Sequence, residues 1–490
     1  MSQAELRQRS TRAGHAGDSA SASSPGDSAS VAPRSTNNNT SPTSTDDVAH
    51  ELEFGGAPGT LAMMVGFPLL FYYLYVCLFF NHAQFATPTN PYTLTGPGGW
   101  WDFIKYIAEI VVRTASPTKR ATTLYLTFLA VQLALAFVLP GVTQQGLPVS
   151  SLGGKTLAYH CNAYSCVYTT VALVALAHYL DLFKLSEIID LYGPLLTVAS
   201  ISGFALALVV YIFGDNYRMS GNWIYDYFMG STLNPRIGSV DIKMFCEIRI
   251  SWTLLFAIAM GAVSKQYELY GRVSGNAWLF AYGTALYLNA CAKGEQYIPQ
   301  TWDMNFEKFG WLLSYWNLAG VPFSYAYPAL YIATRDPRDL EFPTWILVSL
   351  FVVLTVAHCL FDIAMAQKSH FKAVETNTYI KRYTFPQLPY AELDNPKYLK
   401  THLGGKLLLG GMWGFLRKPN YTFDSIQAII WGIASGAGTK SVIVYWYPVF
   451  HATMLLHRNG RDDARCARKY KQDWKEYQKL VPYSFIPYVY

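Results

Sequence analysis

Apolar residues run through this chain in long blocks, near 59–80, 122–140, 166–184, 193–213, 250–265, 276–292, 310–332, 344–366 and 425–455. Most approach the roughly 20 residues that a helix needs to cross a bilayer. Only helices and closed barrels satisfy their backbone groups in lipid, and runs of this length predict helices. The last block, SIQAIIWGIASGAGTKSVIVYWYPVFHATML, is too long for one simple span. Gly432, Gly436 and Gly438 interrupt it and Lys440 sits inside, which predicts two shorter helices. The expected fold class is all-α, a polytopic membrane bundle of about ten helices without the internal repeat of a transporter.

The polar stretches are of two kinds. Residues 1–57 are Ser, Thr, Asn, Gly and Pro with almost no large apolar side chain. Such a segment cannot bury enough surface to offset its ordering entropy, so it is expected to be a disordered cytosolic tail ahead of a membrane domain over 58–490. No apolar stretch follows its early arginines, as a cleaved signal peptide would require. The stretches 214–252, 290–311 and 367–423 are richer in specific residues than plain connectors need to be, and loops of that kind carry function in membrane proteins.

Composition supports the membrane reading: 51% of residues are hydrophobic and 14% charged, against about 25% charged in soluble domains. Thirteen Trp and 36 Tyr suit interfacial belts. The net charge of +6 is modest, and the basic residues crowd into the C-terminal third. That pattern suits a cytosolic face near anionic lipid or an anionic cofactor, and nucleic acid is not an expected partner. The seven cysteines form no CxxC pair and read as small core residues, neither disulfides nor metal ligands.

Several chemistries are excluded. The ten histidines form no HxxxH or HxxHH cluster and there is no HExxH, so di-iron and zinc hydrolytic sites are not expected, and no metal site is predicted. Gly154-Lys155-Thr156 resembles the end of a phosphate loop, but Val149 stands where its first glycine belongs. No GxGxxG follows a strand, so a dinucleotide would not sit on a Rossmann unit. What remains is charge at or inside the spans: Glu247, Arg249, Lys293, Glu295, Asp303, Glu307, Lys308 and Asp362. Such groups are costly in a bilayer and mark either function or paired structural bridges.

After the last apolar block comes LLHRNGRDDARCARKYKQDWKEY, residues 455–477. On one continuous helix, Asp462, Cys466, Lys469, Tyr470, Asp473 and Tyr477 share a sector of about 100°. A face of carboxylates, thiol, phenols and lysine suits neither lipid nor core. It is either a solvated juxtamembrane helix whose cations obey the positive-inside rule or a binding surface.

Two long patterns decide between these. The segment GNWIYDYFMGSTLNPR, with Gly221, Tyr225, Asp226, Gly230, Leu233, Asn234, Pro235 and Arg236, resembles the first signature of the sterol reductase family. The tail, with Leu455, Leu456, His457, Arg458, Arg461, Asp462, Cys466, Lys469, Tyr470, Trp474 and Tyr477, resembles the second, with Lys471 where the family usually has Gly. The resemblance covers about 60–490, and NACAKGEQYIPQTWDM with YWNLAGVPFSY is most similar to the sterol C-24(28) reductases of ergosterol synthesis. It implies ten membrane helices with a cytosol-facing NADPH pocket in the C-terminal half, in a multi-pass protein of the endoplasmic reticulum membrane. Matched motif by motif, the implied cofactor residues are Lys368, Lys372, Leu408, Trp413, Asn420, Tyr421, Asp462, Cys466, Lys469, Tyr470 and Tyr477. Lys372 stands where relatives often have Arg, losing the bidentate fork to phosphate, and Phe423 replaces a Gly before Asp424. The remaining physics agrees: phosphates call for Lys and Arg, flat rings for Trp413, Tyr421 and Tyr470, and ribose or carboxamide donors for Asp462 or Asn420.

The resemblance implies reduction of a sterol C24(28) alkene within the bilayer. Hydride does not add to an electron-rich alkene, so a proton must first reach C28, leaving a cation at C24 for the hydride. That requires an acid held protonated in an apolar slot. Tyr225 and Asp226, supported by Glu247, are the expected proton-supplying group, with Asp303 another candidate. The structural alternatives are a capping role for Asp226 and a bridge from Glu247 to Lys243 or Arg249. The rival functions are a C-14 reductase of the same family and a non-catalytic sterol-binding scaffold.

Overall fold

The computed structural model describes residues 52–381 and 384–489. The tail expected over 1–57 lies mostly outside the described residues, and the packed body begins at Glu53. The apolar blocks become helices: α1 (Gly56–Phe80), α3 (Lys119–Val138), α4 (Ala163–Tyr179), α5 (Tyr192–Phe213), α7 (Thr253–Tyr270), α8 (Gly275–Gly294) and α9 (Thr344–Glu375). Between them, α2 (Trp100–Ala115) and the short α6 (Trp223–Met229) fall outside the blocks. Among the described residues, five helical segments are long and apolar enough to cross a membrane: Glu53–Phe80, Lys119–Val138, Tyr192–Phe213, Ile242–Tyr270 and Thr344–Glu375.

Two blocks differ from a single helix. Block 310–332 is interrupted: Trp311–Tyr315 runs into a widened turn over Trp316–Ser324, and helix resumes at Tyr327–Ala333. Pro322 inside the widened turn has no N–H to donate and displaces the preceding carbonyl, so the regular ladder cannot continue. Block 425–455 divides as its glycines predict, into α10 (Pro419–Ala434) and α11 (Trp446–Tyr470). Gly436 makes the corner at φ +69°, and a Cβ there would lie 2.6 Å from the Leu340 carbonyl oxygen.

A feature absent from the helical reading is a hairpin, β1 (Val142–Val149) with β2 (Lys155–Cys161), paired antiparallel from Val142↔Cys161 to Val149↔Lys155. Gly153 and Gly154 turn it with positive φ, so the Gly-Lys-Thr echo of a phosphate loop is the start of a strand. All seven cysteines are free, with Cys77, Cys161, Cys166 and Cys246 buried.

The core is aromatic where α1 meets α5 and the interrupted block. Tyr75 stacks on Tyr192 at 6.0 Å, and Trp311 on Tyr315 at 4.6 Å. The buried charges are largely paired: Arg249 with Glu295 at 2.6 Å, and Lys293 with Asp362. Those residues therefore take the structural side of the choice that intramembrane charge poses.

The tail is not one helix. Lys471 has φ +49° and ψ −114°, ending α11 and starting α12 (Gln472–Leu480). This region of backbone space suits glycine, the residue that the resemblance implies for this elbow. Asp473 consequently leaves the sector it would share with Asp462 and binds His402, accepting from its backbone N–H at 2.8 Å. Lys471→Gly should relieve strain of roughly 1 kcal/mol and raise the melting temperature of the purified protein. An unchanged or lowered melting temperature would show that the elbow is unstrained.

Candidate cofactor and catalytic site

Three segments far apart in sequence meet beside α11. From α9, Lys368 places its Nζ 4.3 Å over the Trp413 ring, and Trp413 donates its indole N–H to the Ala364 carbonyl at 2.8 Å. Leu408 and Trp413 pack on Phe371, one helical turn from Lys368. From α10, Tyr421 packs against Leu455 of α11 and Phe485, and the Lys418 ammonium lies 5.8 Å from the Tyr421 ring. Asn420 beside it carries a buried Oδ1 with no hydrogen-bond partner among the described residues.

Asp462 is the hub. Its carboxylate is ion-paired with Lys418 and with Arg465, and Lys368 and Cys466 are further electrostatic neighbours. Burial would push its pKa up, but Lys418, Lys368 and Arg465 outweigh that and hold the carboxyl down at about 2. Burial raises the Cys466 thiol, which keeps it a neutral packing group. Tyr477, on α12, donates its hydroxyl to the Leu408 carbonyl at 3.3 Å, and burial pushes it up to about 12. Tyr470, Trp474 and Tyr477 form a ring ladder with centroid steps of 6.5 and 5.2 Å, against which Cys466 packs. Lys469 is exposed, its Nζ 5.1 Å from the Tyr470 ring. Lys372 binds Glu375 at 2.6 Å and donates to the Lys406 carbonyl at 3.0 Å. Phe423 sits in ordinary helix within α10, so the family's glycine is not demanded there by the backbone.

The elbow creates a separate open groove of about 670 Å³ lined by Asp463, Ala464, Ala467, Lys471, Trp474 and Lys475. None of the predicted cofactor residues lines it.

The first signature is a loop anchor. Asn222 caps α6 by accepting from the Ile224 and Tyr225 N–H groups. Asp226 accepts from the Ser220 and Gly221 N–H groups at 2.8 and 3.1 Å, which closes the loop onto the helix. Gly230 has φ +101°, and a Cβ would fall 2.4 Å from the Phe309 carbonyl. Asn234 donates to the Met304 carbonyl at 2.9 Å, while the Arg236 guanidinium lies 4.4 Å from the Tyr159 ring and donates to the Ala158 carbonyl. Lys243, almost wholly buried, donates to the Leu233, Asp303 and Glu307 carbonyls at 2.7–2.9 Å.

The expected acid group is therefore dispersed among different tasks. Asp226 takes the capping role, both oxygens engaged by backbone. The Tyr225 hydroxyl accepts from the Glu53 N–H at 3.1 Å, and the Glu53 carboxylate is gripped by Arg461 of α11 at 2.6 and 2.7 Å. Burial raises the Tyr225 hydroxyl, as does the Glu53 charge. Glu247 lies on a widened helical turn, Cys246–Trp252, and makes neither expected bridge: Arg249 turns to Glu295 and Asn162, and Lys243 to carbonyls. Among the described residues nothing hydrogen-bonds the Glu247 carboxyl, and its charged neighbours are Asp303, Lys243, Arg458 and Asp241, with Asp303 and Arg458 themselves paired at 2.8 Å.

Sequence reading missed Lys418, which sits in KPNY beside Asn420 and could have been found from that adjacency. It also missed Asp424 and His451, buried on α10 and α11. A His inside the apolar VFHATML was their available signal.

The helix bundle, the first-signature loop and the cation-rich helical tail define a polytopic membrane protein. The ergosterol biosynthesis ERG4/ERG24 family model matches residues 48–490, and the chain belongs to this family of sterol reductases. Among its relatives is the Delta(24(24(1)))-sterol reductase erg4A of Aspergillus fumigatus, 41% identical over 90% of this chain and 93% of that protein. The Delta(24(24(1)))-sterol reductase of Gibberella zeae is also 41% identical, over 90% of this chain and 74% of that protein. A Delta(14)-sterol reductase of Methylotuvimicrobium alcaliphilum is 33% identical over 89% and 96%.

Proposed function

We propose that this chain is an NADPH-dependent reductase of the C24(28) double bond of a sterol side chain, acting in the endoplasmic reticulum membrane with its cofactor pocket toward the cytosol. The observation that carries this reading is the meeting of Lys368, Trp413, Tyr421 and Lys418 around Asp462, in a chain 41% identical to two Delta(24(24(1)))-sterol reductases.

The residues present fit the cofactor. Lys368 and Lys418 supply positive charge for its phosphates, with Lys372 and Lys469 at the margin. Trp413, Tyr421 and Tyr470 offer flat faces to its rings. The orphaned Asn420 Oδ1 is an acceptor waiting for a donor such as a ribose hydroxyl or carboxamide. Asp462 is a second acceptor and positions Lys418 and Arg465. Leu408, Cys466 and Tyr477 wall the site and exclude water. Bound there, the cofactor supplies the hydride that reaches C24 once C28 carries a proton.

The proton must come from the protein. Tyr225 and Asp226 have structural tasks in the first-signature loop, and Glu247 is the member of the expected group with an uncommitted carboxyl. The five spans mapped above form part of an expected bundle of about ten helices with a sterol admitted from the bilayer.

Membranes containing the full chain, given NADPH and a 24-methylene sterol, should yield the saturated side chain. Reduction only of a 14-ene sterol would replace the side-chain reading with the C-14 reductase, and no reduction of either would leave a sterol-binding scaffold.

A further inference from the structure

A buried Asp–His pair next to the proposed cofactor wall is left with unpartnered polar atoms. Asp424 lies on α10 one turn beyond Asn420 and Tyr421, and His451 faces it from α11. They are 8% and 4% exposed. The His451 Nε2 is 3.6 Å from the Asp424 Oδ2, and the Tyr287 hydroxyl donates to the same oxygen at 3.5 Å. The first contact is beyond hydrogen-bond range and the second is at its long limit. The other oxygen, Oδ1, and the imidazole Nε2 have no hydrogen-bond partner among the described residues. Native folds rarely leave such atoms idle, since a buried polar atom without a partner has lost its hydration with nothing in return. Arg249–Glu295 and Lys293–Asp362 are buried charges in close pairs, while Arg236–Asp241, at 3.8 Å in the first-signature segment, is another loose one.

The surroundings are equally specific. Tyr287 lies 4.3 Å from Trp252 and 5.8 Å from Trp431, Tyr447 lies 4.2 Å from Tyr325, and Tyr447 is 5.4 Å from the His451 ring. Electron-rich ring faces crowd around one carboxyl, and rings of this kind attract a cation brought beside them. Tyr421 and Asp424 are three residues apart on one helix, so the cofactor's wall and this enclosure lie on consecutive turns.

We propose that Asp424 and His451 form the proton-delivering pair for alkene reduction, enclosed by Tyr287, Tyr325, Tyr447, Trp252 and Trp431. The inference rests on the sterol reductase reading above. Between them a carboxylate and an imidazole hold one transferable proton. It passes from the free Asp424 oxygen to C28, where the alkene π pair becomes the new C–H bond and C24 is left cationic. The hydride closes C24, and the pair, one proton short, is recharged from water through His451.

The test uses the purified full chain in lipid nanodiscs. Asp424→Asn keeps the shape and removes the acid. It should bind NADPH within twofold of wild type yet reduce the 24-methylene sterol at least 100-fold more slowly. It should also bind a sterol with an ammonium nitrogen in place of C24, a mimic of the cation, at least tenfold more weakly. His451→Gln should slow turnover at least tenfold, again with NADPH binding kept. Asp424→Asn turning over within threefold of wild type, or retaining the ammonium sterol while Glu247→Gln loses it, overturns the proposal. So does loss of NADPH binding in both Asp424→Asn and His451→Gln, which would make the pair structural. A wild-type chain reducing only a 14-ene sterol would refute the side-chain reading alone. The variants are then judged by turnover of that alkene, which also needs a proton before hydride.

Discussion

Glu295→Ala should destabilise the protein by about 3–5 kcal/mol, the usual cost of stranding one partner of a buried ion pair. Arg249 and Glu295 have side chains 2% and 3% exposed and lie 2.6 Å apart. Glu295 also accepts from the Ala163 N–H at the start of α4, and Arg249 donates to the Asn162 side chain just before it. Removing the carboxylate strands a guanidinium in the bundle and frees the N-terminus of α4 together. Glu295→Gln keeps the acceptor but not the charge and should fall between the wild type and Glu295→Ala. Thermal unfolding in detergent, followed by tryptophan fluorescence, measures the order. Equal melting temperatures for wild type and Glu295→Ala would mean that the pair holds nothing together.

Asp462→Ala should weaken NADPH binding at least tenfold, about 1.4 kcal/mol, while the protein still inserts and purifies as a single species. The loss has two parts. An acceptor for the cofactor disappears, and Lys418 and Arg465 lose the group that orients them. Tyr470→Ala should weaken binding as well, by removing a ring from the ladder that runs to Tyr477. Because its neighbouring cations hold Asp462 at about 2, its folded pKa lies below the ordinary carboxylate value. The stability it contributes is therefore complete above about pH 4 and is lost only as the pH falls toward 2. Titration of NADPH into the purified variants decides the matter, and wild-type affinity in both would remove the pocket assignment.

Much of the fold was legible from the sequence. Block lengths set by bilayer thickness located most helices, and Gly432, Gly436 and Gly438 marked the break between α10 and α11 before any contact was known. The interruption at Pro322 was less visible, because a proline in an apolar run signals a broken ladder but not where the chain resumes. The β1–β2 hairpin escaped because its strands, with Gln144, Gln145 and Lys155, carry no apolar run.

The residues of the proposed cofactor site were legible as motifs but not as a constellation. Lys368, Trp413, Tyr421 and Asp462 could each be named, yet only packing of α9, α10 and α11 brings Lys418 onto Asp462 beside them. The tail shows the same division. Its residues determined that a polar, cation-rich face follows the last span. A single backbone angle at Lys471 then decided which of them remain together, sending Asp473 to His402 and Tyr477 to Leu408.

For the proton source, tertiary structure decided almost everything. A carboxylate in a sequence can be a cap, a bridge or an acid, since all three need the same residue type. Asp226 has its oxygens filled by backbone N–H groups, Glu295 is ion-paired with Arg249 and accepts from the Ala163 N–H, and Asp424 has one oxygen without a hydrogen-bond partner among rings. By itself the sequence determined the membrane class, through the length of its apolar runs, and pointed to the family through the resemblance of two signature motifs, all features local along the chain. Which charged groups are satisfied and which remain available was decided only when distant helices packed, because hydrogen-bond satisfaction belongs to neighbours in space.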